Sequence, residues 1–314
     1  MPAEPAHDPG RAPDHWPALA AATRTARPRV PFRVAGRRVG SVARDSLPAL
    51  HAHRDLLSVQ DDGVELAVPA AARDAALARI NAALREQGLI VAWRDEVFAL
   101  FDPHTRMPLA WLERAATRFW GSLTFGAHAT GFVAGAEGRP SHLWIAQRAP
   151  TKATDPGLYD NLVGGGVPRR QTPLETLVRE AWEEAGLTPA QAAAARPAGV
   201  IELARDIPEG FQHEWLHAYD LELPAGLEPA NQDGEVAAFT LLPVADALAL
   251  AAGPSMTVDA ALVTLDFARR RIGFEGFWQL SGRMSDDFAI FAHRLAGCRG
   301  CRPRLAAPVR PLGS

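Results

Sequence analysis

The sequence predicts a mixed fold of the α/β class, with α+β character, that is divided into two domains. The 314 residues are enough for two domains, and the 47% of apolar residues are enough for real cores. Strand-like alternation at Val64–Val68 is followed by a helical pattern at Ala70–Gln87. The stretch from Asn161 to Leu187 combines a short apolar segment, three glycines and an acidic helical pattern. Strands and helices are therefore interspersed along the chain.

The first part of the chain predicts a small α+β module. Apolar residues alternate where we expect strands and recur every three or four residues where we expect helices. In chain order the predicted elements are a strand and turn at 31–42, a short helix at 43–52, a strand at 64–68, an amphipathic helix at 70–87, a strand at 97–101 and a helix at Ala110–Phe119.

The acidic helix has a clear predicted start and end. Thr172 is a suitable N-cap, Pro173 suits the first helical position, and Glu175 completes a capping box. Gly186 is a suitable C-cap. Before the helix we expect a short strand at 161–163 and a turn at 164–166 that leaves room for a ligand. The predicted core face consists of Leu174, Leu177, Val178, Ala181 and Ala185.

Three carboxylates on this helix indicate a cation site. Glu180, Glu183 and Glu184 are three and four residues apart, so they lie on one face of a helix. Like charges at this spacing repel one another unless a cation neutralises them. A hard divalent ion with oxygen ligands is the economical explanation.

The same stretch resembles the Nudix box, G-x5-E-x7-R-E-U-x-E-E-x-G-U, in which U is a bulky apolar residue. Two positions depart from the pattern, because the first Glu is Gln171 and the apolar residue after Arg-Glu is the small Ala181. The matching positions are Gly165, Arg179, Glu180, Glu183, Glu184, Gly186 and Leu187.

The resemblance implies an enzyme that hydrolyses a diphosphate linkage with Mg²⁺ or Mn²⁺. A polyanionic substrate requires charge neutralisation and an oriented water. By position, Glu183 and Glu184 are the expected main metal ligands, with Glu180 as a third. Arg179 is expected to orient a box carboxylate. Its usual partner is replaced by Gln171, which can accept one hydrogen bond but supplies no charge, so Arg179 needs a different partner.

Residues outside the helix complete the predicted site. Many Nudix enzymes use a Glu in a late loop as a metal ligand or general base, and Glu235 is the candidate here. Gly165 and Gly166 are expected beside the substrate.

Three further side chains have two readings each. Arg148 and Lys152 follow a predicted strand and suit phosphate binding, although a solvated loop fits them equally well. His128 is a candidate substrate contact, with a buried or capping histidine as the alternative.

The segment 118–133 resembles the junction of a Nudix subgroup that is often labelled thiamine pyrophosphokinase-related. In that subgroup a small N-terminal domain precedes the Nudix domain. The resemblance predicts an accessory α+β domain at 30–135 and a Nudix α/β/α sandwich with a mixed sheet at 136–272. A disordered or loosely packed tail at 1–29 and a C-terminal tail at 273–314 flank them. The implied substrate is thiamine diphosphate, or a damaged oxo or oxy analogue, that is converted to a monophosphate.

Two alternatives remain open. One is hydrolysis of a nucleoside diphosphate derivative such as a nucleotide sugar. The other is a non-catalytic ligand-binding module, at which Gln171 hints, although the three helical Glu residues argue against it. The P-loop pattern G-x-x-x-x-G-K-[ST] does not occur in the sequence, so we do not expect ATP-dependent transfer.

Composition limits the partners. The net charge of −3 gives no case for nucleic acid or an anionic membrane, and no apolar run approaches the length of a membrane span. The first residues lack a secretory signal pattern, so we expect a cytoplasmic protein whose partner is a small-molecule diphosphate. The oligomeric state is not indicated. Cys298 and Cys301 form a lone C-x-x-C, and we expect unpaired surface thiols there.

Overall fold

The N-terminal part of the chain contains a four-stranded sheet. The computed structural model describes residues 16–102, 104–105 and 107–273. Its first four strands are β1 (Arg29–Val34), β2 (Arg37–Ala43), β3 (Leu57–Gln60) and β4 (Gly63–Leu66), in the spatial order β2-β1-β4-β3. The helices of this part are α1 (Pro17–Ala22), α2 (Leu47–Leu50) and α3 (Arg73–Glu86).

Trp120 lies in the core of this sheet. Its ring stacks on Phe32 with 4.3 Å between the ring centroids, and its Nε1 donates to Asn81 over 2.8 Å. The indole is fully buried. Burial with a satisfied N–H is the usual role of a core tryptophan, so Trp120 belongs to the packing and offers no surface to a ligand.

A hairpin follows, and it corrects the helix predicted at Ala110–Phe119. Strands β5 (Val97–Phe101) and β6 (Pro108–Glu113) pair antiparallel, and only the last residues of the predicted helix belong to α4 (Ala116–Trp120). Short apolar runs fit either period, and pairing with β5 decides in favour of a strand.

The C-terminal part is built on a seven-stranded mixed sheet. Its strands are β7 (Leu123–Ala134), β8 (Pro140–Arg148), β9 (Tyr159–Asp160), β10 (Val163–Gly166), β11 (Arg196–Ile207), β12 (Gly210–Glu222) and β13 (Val236–Pro243). Five of them follow the spatial order β11-β12-β7-β8-β13, while β10 pairs with β7 and β9 pairs with β8. The sheet is mixed because β12 is parallel to β7, whereas β8 and β10 are antiparallel to it. The helices are α5 (Pro173–Ala185), α6 (Pro189–Ala192), α7 (Val244–Ala251) and α8 (Val258–Ile272).

Helices cover both faces of this sheet. Ala127 and Ala129 of β7 share a buried cluster with Leu177 and Ala181 of α5. Phe132, which points to the opposite face of the strand, packs on Phe267 of α8 with 5.4 Å between ring centroids. The predicted mixed α/β class with a sandwiched mixed sheet is confirmed.

The glycines at 164–166 form a strand and not the predicted turn. They belong to β10, which pairs with β7 so that Gly164 is opposite His128 and Gly166 is opposite Gly126. A strand of glycines satisfies its backbone through the ladder and leaves both of its faces open to close neighbours.

Helix α5 begins and ends as predicted. The capping box of Thr172 and Glu175 is formed in both directions, and Gly186 ends the helix with φ of 66°. The predicted core face is buried or partly buried, except for Leu174 in the first turn, which is exposed.

The predicted tails are described only in part. From residue 16 onward the N-terminal segment is ordered against the rest of the chain, because Trp16, Ala18 and Ala22 are buried. The pair Cys298 and Cys301 lies outside the described residues. Within the described ranges, no helix is long and apolar enough to cross a membrane.

Candidate functional site

A cleft of about 290 Å³ lies where the N-terminal module meets the large sheet. Arg94, Arg114 and Arg118 from the N-terminal module line one side of it. The rest of the lining comes from β7, β10, β12 and the start of α8, and includes His128, Gly164, Gly165, Gly166, Gln212, Glu214 and Asp259. The cleft is therefore polar and is formed by residues that are far apart in the sequence.

The glycines of β10 let neighbouring side chains approach closely. A Cβ at Gly165 would overlap the carboxylate of Glu180. A Cβ on the opposite face, at Gly166, would lie 2.9 Å from Cζ of Phe98 and 3.1 Å from Nη2 of Arg114. The missing side chains thus allow the box helix and the N-terminal hairpin to contact the same strand.

Glu184 is the most deeply buried carboxylate of the box. One oxygen accepts from the backbone N–H of Gly164 over 3.0 Å, and the other lies 3.7 Å from Nζ of Lys152. Burial raises the pKa of Glu184 to about 8, and repulsion from Glu180 adds to the effect. Burial likewise raises the pKa of Glu180.

Arg179 forms ion pairs with two carboxylates of its own helix. Its guanidinium contacts Glu183 at 2.6 Å and Glu180 at 2.7 Å. The Nε donates to the side-chain oxygen of Gln171 over 3.4 Å, and the same oxygen accepts from Thr176 over 3.0 Å. Gln171 therefore keeps the hydrogen bond of a box Glu, while Glu180 and Glu183 supply the charge.

Lys152 joins the late loop to the box. Its ammonium lies between Glu184 and Glu235, with which it forms a close ion pair. The loop is also tied to the end of α5, because Asn231 donates to the backbone oxygen of Glu184 over 3.3 Å. Glu235 lies 4.0 Å from Nη1 of Arg94. The structure thus brings Glu235 beside the box although 51 positions separate the two Glu residues in the sequence.

Arg148 and His128 both line the cleft. Arg148 contacts Asp160 at 2.8 Å and donates to the backbone oxygen of Thr154 over 2.8 Å. His128 is 7% exposed, and its Nδ1 is 3.2 Å from Oδ1 of Asn161. Each side chain is anchored by the protein and also lines the cleft, and the substrate contacts of both stay predictions.

The box carboxylates suit a divalent ion in chemistry but are not arranged as a finished cluster. Among the described residues, no group of three or more His, Cys, Asp or Glu is close enough to hold a metal ion. Glu183 is turned toward Arg179, and Glu184 toward Lys152. The partly buried Glu180 and the buried Glu184 nevertheless place two carboxylates four residues apart, where their like charges repel each other. Hard oxygen donors of this kind fit Mg²⁺ or Mn²⁺.

A second cluster of polar side chains lies in the cleft, and the sequence does not predict it. Gln212 donates to both Glu214 and Asp259, each over 3.0 Å, and Arg118 pairs with Glu214 at 2.9 Å. Burial and the charge of Glu214 raise the pKa of Asp259. Strand alternation could have placed Gln212 and Glu214 on one face, but nothing local links them to Arg118 or Asp259.

Two protein-family models match the chain, one in each of its two parts. The model of the NUDIX domain matches residues 124–259, and a model described as a domain of unknown function, DUF4743, matches residues 17–124.

Curated relatives carry the same family name. Nudix hydrolase 24, chloroplastic, of Arabidopsis thaliana is 35% identical over 199 residues, which cover 63% of this chain and 54% of that protein. Nudix hydrolase 20, chloroplastic, of the same plant is 36% identical over 200 residues, which cover 63% and 53%. An uncharacterized Nudix hydrolase, orf19, of Rhodococcus erythropolis is 33% identical over 149 residues, which cover 46% of this chain and 75% of that protein. A crystal structure from Deinococcus radiodurans matches with 24% identity and a TM-score of 0.43, over 54% of this chain and 98% of its own.

The chain belongs to the Nudix hydrolase family, as the box predicts. It spans about half the length of the two Arabidopsis relatives. The N-terminal match names no activity, so the label thiamine pyrophosphokinase-related stays a prediction. The word chloroplastic applies to the plant proteins, and the cytoplasmic location expected from the sequence stays a prediction as well.

Proposed function

We propose that this chain hydrolyses a diphosphate linkage with Mg²⁺ or Mn²⁺ held by Glu180, Glu183 and Glu184. The observation that carries the proposal is the convergence of buried box carboxylates with Lys152 and Glu235 beside a cleft lined by arginines. A polyanionic substrate needs such cations, and a hydrolytic water needs a carboxylate to accept its proton.

The residues divide the work as follows. A bound divalent ion supplies charge neutralisation at the phosphate oxygens. Arg179 holds the carboxylates of Glu180 and Glu183 in place. Arg148 and Lys152 bind the phosphate oxygens. Glu235 accepts a proton from the attacking water. The water oxygen forms a bond to phosphorus, and the bond between that phosphorus and the bridging oxygen breaks.

For the substrate we propose thiamine diphosphate or a damaged oxo or oxy analogue. The resemblance of segment 118–133 to the thiamine-related subgroup supports this choice. Two members of that segment, Arg118 and His128, line the cleft. The part of the chain that carries the resemblance therefore also lines the cleft in which we propose that the substrate binds.

A panel of diphosphates tests the proposal. Phosphate or monophosphate release is measured with Mg²⁺ or Mn²⁺ for the wild type, Glu183→Gln and Glu184→Gln, with the exposed Glu86→Gln as a control. We expect turnover by the wild type and the control and a loss of about 100-fold or more in the two box variants. Binding without turnover by every protein would favour the non-catalytic module. Turnover of nucleotide sugars but not of thiamine diphosphates would reject the substrate.

A further inference from the structure

The loop that carries Arg94 is held in a strained conformation. Ala92 and Asp95 both have positive φ, 56° and 59°, which side chains with a Cβ rarely adopt. Such strain persists only where the surroundings enforce it, and it is concentrated at functional sites. These two residues flank Arg94, so the strained backbone sets the direction of the Arg94 side chain.

Several contacts hold the loop in that shape. The backbone N–H of Arg94 donates to Glu113 over 2.9 Å. Trp93 donates through Nε1 to Asp95 over 2.8 Å, and the guanidinium of Arg85 lies 4.7 Å from the centroid of the Trp93 ring. The loop is therefore fixed on the hairpin and on α3, and the side chain of Arg94 extends into the cleft.

Arg94 is less neutralised than Arg114 and Arg148, which also line the cleft. Arg148 contacts Asp160 at 2.8 Å, and Arg114 contacts Glu96 at 2.8 Å. The carboxylate nearest to Arg94 is that of Glu235, which lies 4.0 Å from Nη1, at the distance limit of an ion pair. Burial lowers the pKa of Arg94, and the charges of Arg114 and Arg148 lower it further. A protein that keeps three like charges together lowers their energy when an anion binds among them.

We propose that Arg94, Arg114 and Arg148 form an anion site that binds the terminal phosphate of the substrate. The inference rests on the proposed diphosphate hydrolysis and specifies its substrate class. A terminal phosphate carries more charge and more free oxygens than a phosphate that is esterified on its far side. Guanidinium groups recognise such oxygens by paired hydrogen bonds. The enzyme therefore prefers diphosphates with a free end over diphosphates that are substituted at both ends.

The site also gives the N-terminal module a role in binding. Arg94 and Arg114 come from that module, whereas Arg148 ends β8 of the large sheet. Arg114 also reaches Gly166 of β10, at the edge of the box. The phosphate that these residues bind lies across the junction, so one module supplies the box and the other supplies most of the anion site.

Two measurements test the site independently. The first is calorimetric binding of inorganic phosphate without divalent ions to the wild type, Arg94→Ala, Arg94→Lys and the exposed control Arg38→Ala. We expect Arg94→Ala to weaken binding by about 10-fold to 100-fold, as for the loss of hydrogen bonds to a charged group. Arg94→Lys keeps the charge but loses the paired hydrogen-bond geometry, so we expect its phosphate affinity to lie between those of the wild type and Arg94→Ala. This variant also tests the site if the alanine variant folds poorly.

The second measurement compares phenyl diphosphate with symmetrical diphenyl diphosphate as substrates in the presence of Mg²⁺. We expect Arg94→Ala to raise KM for phenyl diphosphate by about tenfold, with little change for the diphenyl ester. An equal effect on both substrates, or phosphate binding that is unchanged in Arg94→Ala or undetectable in the wild type, overturns the anion site. If the wild type hydrolyses no diphosphate, the proposed function fails, and the phosphate titration alone decides on the anion site.

Discussion

The two sides of the cleft differ in how far apart their residues lie in the chain. The box side comes from one strand and the following helix, between Val163 and Ala185. The other side combines Arg94 and Arg118 of the N-terminal module with Glu214 and Asp259, which lie 96 or more positions later in the chain. Local pattern positions the first group, whereas only the tertiary fold assembles the second. Variants on each side therefore test different levels of the structure.

Glu235 is where the two sides meet, and its substitution has the largest expected effect. Glu235→Gln keeps the size of the side chain but removes its charge and proton affinity. Because we propose that Glu235 accepts the proton of the attacking water, we expect kcat to fall by about 100-fold to 10 000-fold. Steady-state turnover with Mg²⁺ measures the loss, and the far-UV circular dichroism spectrum verifies the fold. Unchanged turnover would remove Glu235 from the mechanism.

Breaking the ion pair between Arg118 and the buried Glu214 tests the side that depends on the fold. Burial opposes ionisation, but Arg118 and Gln212 hold the pKa of Glu214 below its ordinary value. Arg118→Met leaves this carboxylate without its cation, so we expect the free energy of unfolding to fall by about 3 kcal/mol in urea denaturation at pH 7.

A matched control for Arg118 is available on α3. Arg79 pairs with Asp55 at the surface, and both side chains are more than half exposed. Arg79→Met should change stability little, because exposed ion pairs are weak. The double variant Arg118→Met/Glu214→Leu should recover much of the lost stability, since it leaves no charge unpaired. Equal effects of the two single variants would contradict the role of Arg118 as the cation of a buried carboxylate.

Gly165→Ala tests the box side without changing any charge. The added methyl group would overlap the carboxylate of Glu180, so we expect Glu180 to move and turnover to fall by about tenfold. Gly199→Ala in β11 is the control, because a Cβ there meets nothing within 4 Å. Activity and the concentration of Mg²⁺ that gives half-maximal activity are measured for both variants. Similar values for both would show that the close approach at Gly165 does not matter.

The sequence predicts the box side in considerable detail. The capping box at Thr172, the left-handed Gly186 and the shared face of the three Glu residues are all local consequences of helix geometry. Even there, the local sequence wrongly predicts a turn for the glycine segment, because glycine favours turns and the ladder with β7 is not visible in the local sequence.

The other side could not be predicted, because it too depends on long-range pairing that the local sequence does not show. Segment Ala110–Phe119 fits a helix by its local pattern, yet pairing with β5 makes its first half a strand and places Arg114 just after it. The orientation of Arg94 depends on strained backbone angles at Ala92 and Asp95, which no local propensity favours. Contacts of high sequence separation determine this side of the cleft, and a single sequence does not display them.

The smallest expected effect concerns Asp259, whose carboxylate faces Glu214 through Gln212. Burial and the charge of Glu214 raise the pKa of Asp259 above its ordinary value of 3.8. The folded state therefore binds the proton more tightly than the unfolded state. The stability that this carboxyl contributes is present below pH 3.8 and is lost as the pH rises through its raised pKa.

Asp259→Asn removes that titration while keeping the hydrogen-bond acceptor for Gln212. We expect the variant and the wild type to be equally stable below pH 3.8, and the variant to be more stable at pH 7, because it no longer opposes Glu214. The exposed Asp246→Asn should give no such divergence, and thermal unfolding at a series of pH values measures all three proteins. A variant that is less stable than the wild type at pH 7 would mean that Arg205, whose Nη2 lies 4.0 Å from Asp259, compensates the charge fully. The carboxylates of this side would then be a balanced network like that of the box helix, where Arg179 holds Glu180 and Glu183, and not a strained one.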